Sequence, residues 1–244
     1  METASTSSVE RALAINVGAN TGLPGVRAPV GADGRFAYWP IPEREPCDEP
    51  VPTYADLGLA VPAALADTPV HLDPSFRDGP YGESYTYGDE HPVKAAPLSE
   101  LTAGDELWFY ATLEPDGAPP PGGPPDWGAY LIGRFRLAVD PVDPECLEDH
   151  DPAVRETVRR NAHFRRVDPD AEVVVLGEPA TSALLARAVP LSAADAGRRP
   201  GPLVREHSLD SGRGPWWRRP LRFDAEGAAA LREAVAAAQP PGQG

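Results

Sequence analysis

Two long apolar runs set what this chain can build. ELWFYATL at 106–113 and AYLIGRFRLAV at 129–139 are rich in aromatic and β-branched residues, the composition of strands with buried faces. The tract between them, EPDGAPPPGGPPDWG, excludes regular structure, because proline removes backbone donors and glycine loses most entropy when ordered. The runs are therefore expected to lie side by side as antiparallel strands. Residues 115–127 are expected to form a flexible loop, to which no function is assigned.

The remaining elements are short. ALAINV at 12–17 reads as a strand stopped by the turn-rich GANTGLPG, and Asp33-Gly34 as a turn before a brief strand in RFAYWPIP, limited by Pro40 and Pro42. Residues 43–100 hold many prolines and no sustained helical period, so loops and helical turns are expected there. PAVRETVRRNAH at 152–163 predicts a helix with proline in its first turn, AEVVVLG at 171–177 a buried strand, and about Ala180 to Ala188 a second helix. DAEGAAALREAVAAA predicts a closing helix behind an Asp cap. The sum is an α+β fold: a mixed, curled sheet or partly open barrel with peripheral helices. Residues 1–10 are expected as a disordered leader, 11–238 as one domain and 239–244 as a disordered tail.

Charge narrows the function classes. The formal net charge is −15, and Lys94 is the sole lysine among the 22 basic residues. An acidic, lysine-poor surface suits a high-salt, halophilic-type cytoplasm, where ions screen self-repulsion; GC-rich codon usage also favours Arg over Lys. No run reaches the roughly 18–20 apolar residues that span a bilayer. METASTSSVE lacks a basic start and an apolar core, so a cytoplasmic, membrane-free location is expected. Cys47 and Cys146 are too few for a disulfide framework or zinc ribbon. A Walker lysine after a glycine loop, a Rossmann glycine fingerprint, GxSxG and HExxH are all missing from the sequence.

Several short motifs occur in a telling order. Pro29, Asp33-Gly34 and PIP at 40–42 are followed by TYADL at 53–57, HLDP at 71–74, GDELWFY at 104–110 and Ile132-Gly133. Together they resemble nucleotide modification associated domain 3, best over 11 to about 139. The resemblance implies a role tied to modified nucleotides in DNA, with nucleotide, DNA or a partner modification enzyme as the associated molecule. The chain departs from that pattern after HLDP, where YGESYTYGDEHPVK stands. Gly104-Asp105 before an aromatic strand, with LIG in the next, also resembles the small PUA-like barrels that bind modified bases.

The candidate site residues fall into two sets. His71 and Asp73, two apart, share one face of an extended segment, as a metal-ligand pair or a base with its orienting carboxylate requires. Asp89 and His91 follow in YGDEH, so one region could hold two imidazoles and several carboxylates for acid–base work. These four form the catalytic set, and the same histidines also fit a structural role. The second set is a ligand-binding one. Asn16 and Asn20 flank a glycine loop able to cradle phosphate, or simply to turn. The stretch 198–222 holds seven arginines against Glu206 and Asp210, around PWWRRP. There Arg213, Arg218 and Arg219 could grip phosphate while Trp216 stacks on a base, or the tryptophans could plug the core. No metal, cofactor or oligomeric state is assigned. Three functions remain open: recognition of a modified base or nucleotide, an enzyme acting on one, and a structural or protein-interaction domain.

Overall fold

The computed structural model describes residues 10–77, 79–210 and 213–240. The expected leader and tail lie, but for Glu10, Gln239 and Pro240, outside the described residues.

A six-stranded mixed sheet organises the chain. Its strands are β1 (Ala12–Asn16), β2 (Ala28–Val30), β4 (Glu106–Pro115), β5 (Gly128–Arg136), β7 (Ala183–Pro190) and β10 (Leu221–Phe223), in the order β10-β1-β4-β5-β7 with β2 beside β4. Strands β4 and β5 are the antiparallel pair expected from the two apolar runs, Glu106 opposite Arg136 and Leu113 opposite Gly128. Both β1 and β2 run parallel to β4, end to end along its edge: Asn16 is opposite Tyr110 and Ala28 opposite Leu113. Between them the Val17 amide still donates to Tyr110 O, and the chain then forms the 3-10 turn Ala19–Thr21 and a loop.

The sheet is open, not closed into a barrel. Its two faces carry separate cores, as alternation along a strand dictates. Leu13, Ile15, Leu107, Phe109 and Phe135 pack with Tyr38, Phe76 and Tyr87 on one face. Ala14, Trp108, Tyr110 and Leu131 pack on the other against Trp216 and the closing helix α4 (Ala225–Ala238), through Leu231 and Val235. The Asp224 side chain caps α4 by accepting from the Gly227 amide.

On the first face lies a two-stranded sheet of β3 (Thr86–Asp89) and β6 (Val173–Leu176), flanked by helices α1 (Pro92–Ser99) and α2 (Pro152–Arg159). A hairpin of β8 (Ser192–Ala193) and β9 (Ala196–Pro200) precedes helix α3 (Pro202–His207).

Two expectations are corrected. Residues 183–190 form β7, not a helix: ALLARAVP has helix-forming residues, but β5 presents an unpaired edge, and tertiary pairing overrides weak local propensity. RFAYWPIP makes only isolated bridges, Phe36 to Val30 and Pro42 to Val70, because its prolines cannot donate to a ladder. Both cysteines are free. Among the described residues no helix is long and apolar enough to cross a membrane.

Candidate functional site

Beside the end of β1 lies a cavity of about 100 Å³ walled by Asn16, Thr21, Ile41, His71, Asp73, Tyr87, Asp89, Glu90, His91, Lys94, His163 and Arg166. Local backbone pairing brings its parts together. The segment around Glu43 and that around His71 run antiparallel, the Glu43 amide donating to Pro69 O and the His71 amide to Ile41 O. Glu43 Oε2 thereby meets His71 Nδ1 at 2.5 Å, with both side chains buried. Asp73 then turns onto β3: its Oδ2 accepts from the Gly88 amide at 2.9 Å and its Oδ1 from Asn161 Nδ2 at 2.7 Å.

Asn161 caps the single 3-10 turn Ala162–Arg165, its Oδ1 accepting from the His163 amide at 3.0 Å. This cap aims the His163 ring at the cavity. His163 Nδ1 lies 2.8 Å from Asp170 Oδ1, and Arg166 spans the two carboxylates, Nη1 donating to Asp170 at 2.6 Å and Nη2 to Glu43 at 3.1 Å. Each imidazole is thus held at Nδ1 by a carboxylate, and one guanidinium ties the carboxylates together.

The protonation states follow. Burial opposes ionisation of Glu43, but the hydrogen bond and charge of His71, the Glu45 amide and Arg166 outweigh it and hold its carboxyl at about 2. Burial likewise opposes the charge on Asp170, and His163 and Arg166 overcome it to lower its pKa. With both carboxylates ionised, Nδ1 of each ring is held by its carboxylate and the Nε2 atoms turn inward. His71 Nε2 and His163 Nε2 lie 3.3 Å apart. Burial disfavours a charged His163, yet hydrogen bonding and charge from Asp73, then Asp170 and Glu90, raise its pKa to about 9.

A second cluster forms the opposite wall. Tyr87 Oη donates to Asp89 Oδ2 at 2.5 Å, and Lys94 Nζ lies 3.2 Å from the same oxygen and 3.3 Å from the phenol. Burial first, then the charge of Asp89, pushes the Tyr87 pKa well up, so the phenol stays protonated. Asp89 Oδ1 also accepts from the His91 amide, leaving the His91 ring 72% exposed at the rim.

The four residues of the expected catalytic set, His71, Asp73, Asp89 and His91, therefore wall one cavity, joined by Asn16. The expected ligand-binding set is divided. Asn20 is half-buried outside the wall, with Oδ1 buried and unpartnered among the described residues. Trp216 is 1% exposed, and its Nε1 donates to Arg198 O. An indole so enclosed offers no face to a base, and Trp216–Arg218 form a 3-10 turn within PWWRRP. Arg213, Arg218 and Arg219 are exposed beside it and do not line the cavity. The link between the regions is Asn16, whose Nδ2 donates to Trp217 O at 2.7 Å.

Next to that link is a surface that sequence reading missed. The Arg27 guanidinium sits 4.5 Å over the Trp127 ring, and Trp127 contacts half-buried Trp217 at 5.4 Å between centroids. Burial lowers the Arg27 pKa; Glu114 opposes this, and nearby Arg198 and Arg218 lower it further. One guanidinium group thus stacks on the paired indoles, with the charges of two more close to it. Glu43, Asn161, His163, Arg166 and Asp170 were also missed. A recognisable signal existed in NAHFRRVDPD: a capping Asn two residues before His, with Arg and Asp placed at turn spacing beyond.

Fold and cavity together define an open-sheet α+β domain built around an enclosed, highly charged polar centre. The chain belongs to the nucleotide modification associated domain 3 family, whose family model matches residues 11–233. No curated protein and no solved structure matches the chain. The family match takes in every wall of the cavity.

Proposed function

We propose that this chain is an enzyme acting on a modified base or nucleotide, with the cavity under β1 as its reaction centre. The observation that carries this reading is the buried pair of imidazoles, each fixed at Nδ1 by a carboxylate with its Nε2 turned inward. Burying so many ionisable groups is costly, and such clusters gather where chemistry needs tuned groups. A domain that only recognised a base would be served by neutral donors and acceptors. His71, Asp73 and His163 form the reacting core of this site. Tyr87 and Asp89, steadied by Lys94, supply a proton donor and acceptor on the facing wall, and Asn16 offers an amide at the mouth. The arginine and tryptophan surface accepts the phosphates and a flanking base of the same ligand.

Recognition alone is the second reading, favoured by that surface. The two are separated with a panel of modified and unmodified nucleosides, nucleotides and short duplexes in high salt, following both binding and product mass. The enzymatic reading expects Asp73→Asn to abolish turnover while leaving affinity largely intact, and Arg218→Ala to weaken binding. Binding of a panel member with no product in any case would establish the recognition reading instead.

A further inference from the structure

The inward-facing nitrogens pose an electrostatic problem. With each Nδ1 held by a carboxylate, the two Nε2 atoms confront each other at 3.3 Å, and Asp73 Oδ2 lies 3.6 Å and Glu90 Oε2 3.4 Å from His163 Nε2. Glu43, Asp73, Asp89, Glu90 and Asp170 surround the two imidazoles, and among the described residues of the cavity wall the lysine and arginine are Lys94 and Arg166. Positive charge belongs between them. One proton on His163 would supply some of it, but 3.3 Å is longer than the roughly 2.7–3.2 Å of a good nitrogen hydrogen bond.

The spacing suits a metal better. Two metal–nitrogen bonds of about 2.0–2.1 Å at a near-tetrahedral angle set the nitrogens about 3.3–3.4 Å apart. One ligand atom each from His71, Asp73 and His163 lies within 4.8 Å of the other two, and all three residues are buried. Their outer partners are those of a ligand set: carboxylates on both Nδ1 atoms fix the tautomer, and the Gly88 amide and Asn161 fix the Asp73 carboxylate.

We propose that His71 Nε2, His163 Nε2 and Asp73 together bind one divalent first-row transition metal ion, with further coordination positions facing the cavity. Two imidazoles and one carboxylate suit zinc or iron(II). The inference deepens the reading of this cavity as a reaction centre and rests on it, but its readouts are metal content and metal environment, so the two fail separately.

The test uses the full chain, stripped with a chelator and dialysed against Zn²⁺, Mn²⁺ or, anaerobically, Fe²⁺, with bound metal measured by mass spectrometry and folding by circular dichroism. The expected result is one ion per chain for at least one metal, with a raised melting temperature. That ion should be lost in His163→Gln and Asp73→Asn and kept in Arg218→Ala. Glu43→Gln should weaken affinity by about 10–100-fold, the usual effect of an outer-shell partner. If the variants fail to fold, X-ray absorption on the metal-loaded native chain decides, since it must show two imidazole ligands. Folded native protein that takes up no ion, metal retained equally by both ligand variants, or a metal shell without two imidazoles would each overturn the inference. Metal bound at this site without turnover of any nucleotide would support it and count against the enzymatic reading alone.

Discussion

At the scale of single residues, Arg166 holds the site together. It is the only cation in contact with both Glu43 and Asp170 among the described residues, and its side chain is 9% exposed. Replacing it by methionine leaves the buried Glu43 carboxylate without its guanidinium partner, so Arg166→Met should cost about 3–5 kcal/mol in urea unfolding, the usual effect of breaking a buried ion pair. Trp216→Ala should cost a similar amount, about 3–5 kcal/mol, through the cavity it leaves in the second core. Exposed Arg219→Ala should stay within about 0.5 kcal/mol of the native chain. Near-neutral Trp216→Ala with lost ligand binding would return that indole to a recognition role. His71 and Asp73 were legible because a two-residue spacing on an extended chain implies a shared face. His163 was not, since nothing local reports that a turn ninety residues onward docks on that face.

At the scale of elements, the site depends on how closely the 3-10 turn at Ala162–Arg165 approaches β3. Gly88 makes that approach possible: a Cβ there would meet His163 Cδ2 at 2.8 Å and Asn161 Oδ1 at 2.9 Å. Gly88→Ala should therefore push the turn away, costing about 1–3 kcal/mol as overpacking does and more in turnover than in stability. A variant with native stability and native activity would show that the two elements move independently. Strands β4 and β5 were readable because long aromatic and β-branched runs flank an unstructurable tract, and α4 because its Asp cap precedes strong helix formers. Strand β7 was not readable, because its Leu and Ala residues favour helix and only the vacant edge of β5 recruits them. The isolated bridge Pro42 to Val70, which aligns Glu43 with His71, is likewise too short to carry a periodic signal.

At the scale of the whole molecule, a net charge of −15 surrounds a local concentration of guanidinium groups. Two opposite salt responses follow. Thermal stability should rise as salt increases from low to molar concentration, because screening relieves carboxylate repulsion. Affinity for a nucleotide or oligonucleotide should fall over the same range if the proposed phosphate contacts by Arg27, Arg198 and Arg218 form, because such contacts weaken with salt. Melting curves and binding isotherms across one salt series check both, and affinity independent of salt would remove the arginine surface from recognition. The order of motifs along the chain gave the family, whereas the convergence of Asn16, Glu43, Asp73 and His163 exists only in three dimensions. The most direct test is therefore a crystal structure with the tightest-binding nucleotide of the panel. The base should lie in the cavity, against Asn16 and Asp89 and facing His71 and His163, with its phosphates toward Arg27, Arg198 and Arg218. A nucleotide held on the arginine and tryptophan surface with its base outside the cavity would contradict the placement of the chemistry proposed here.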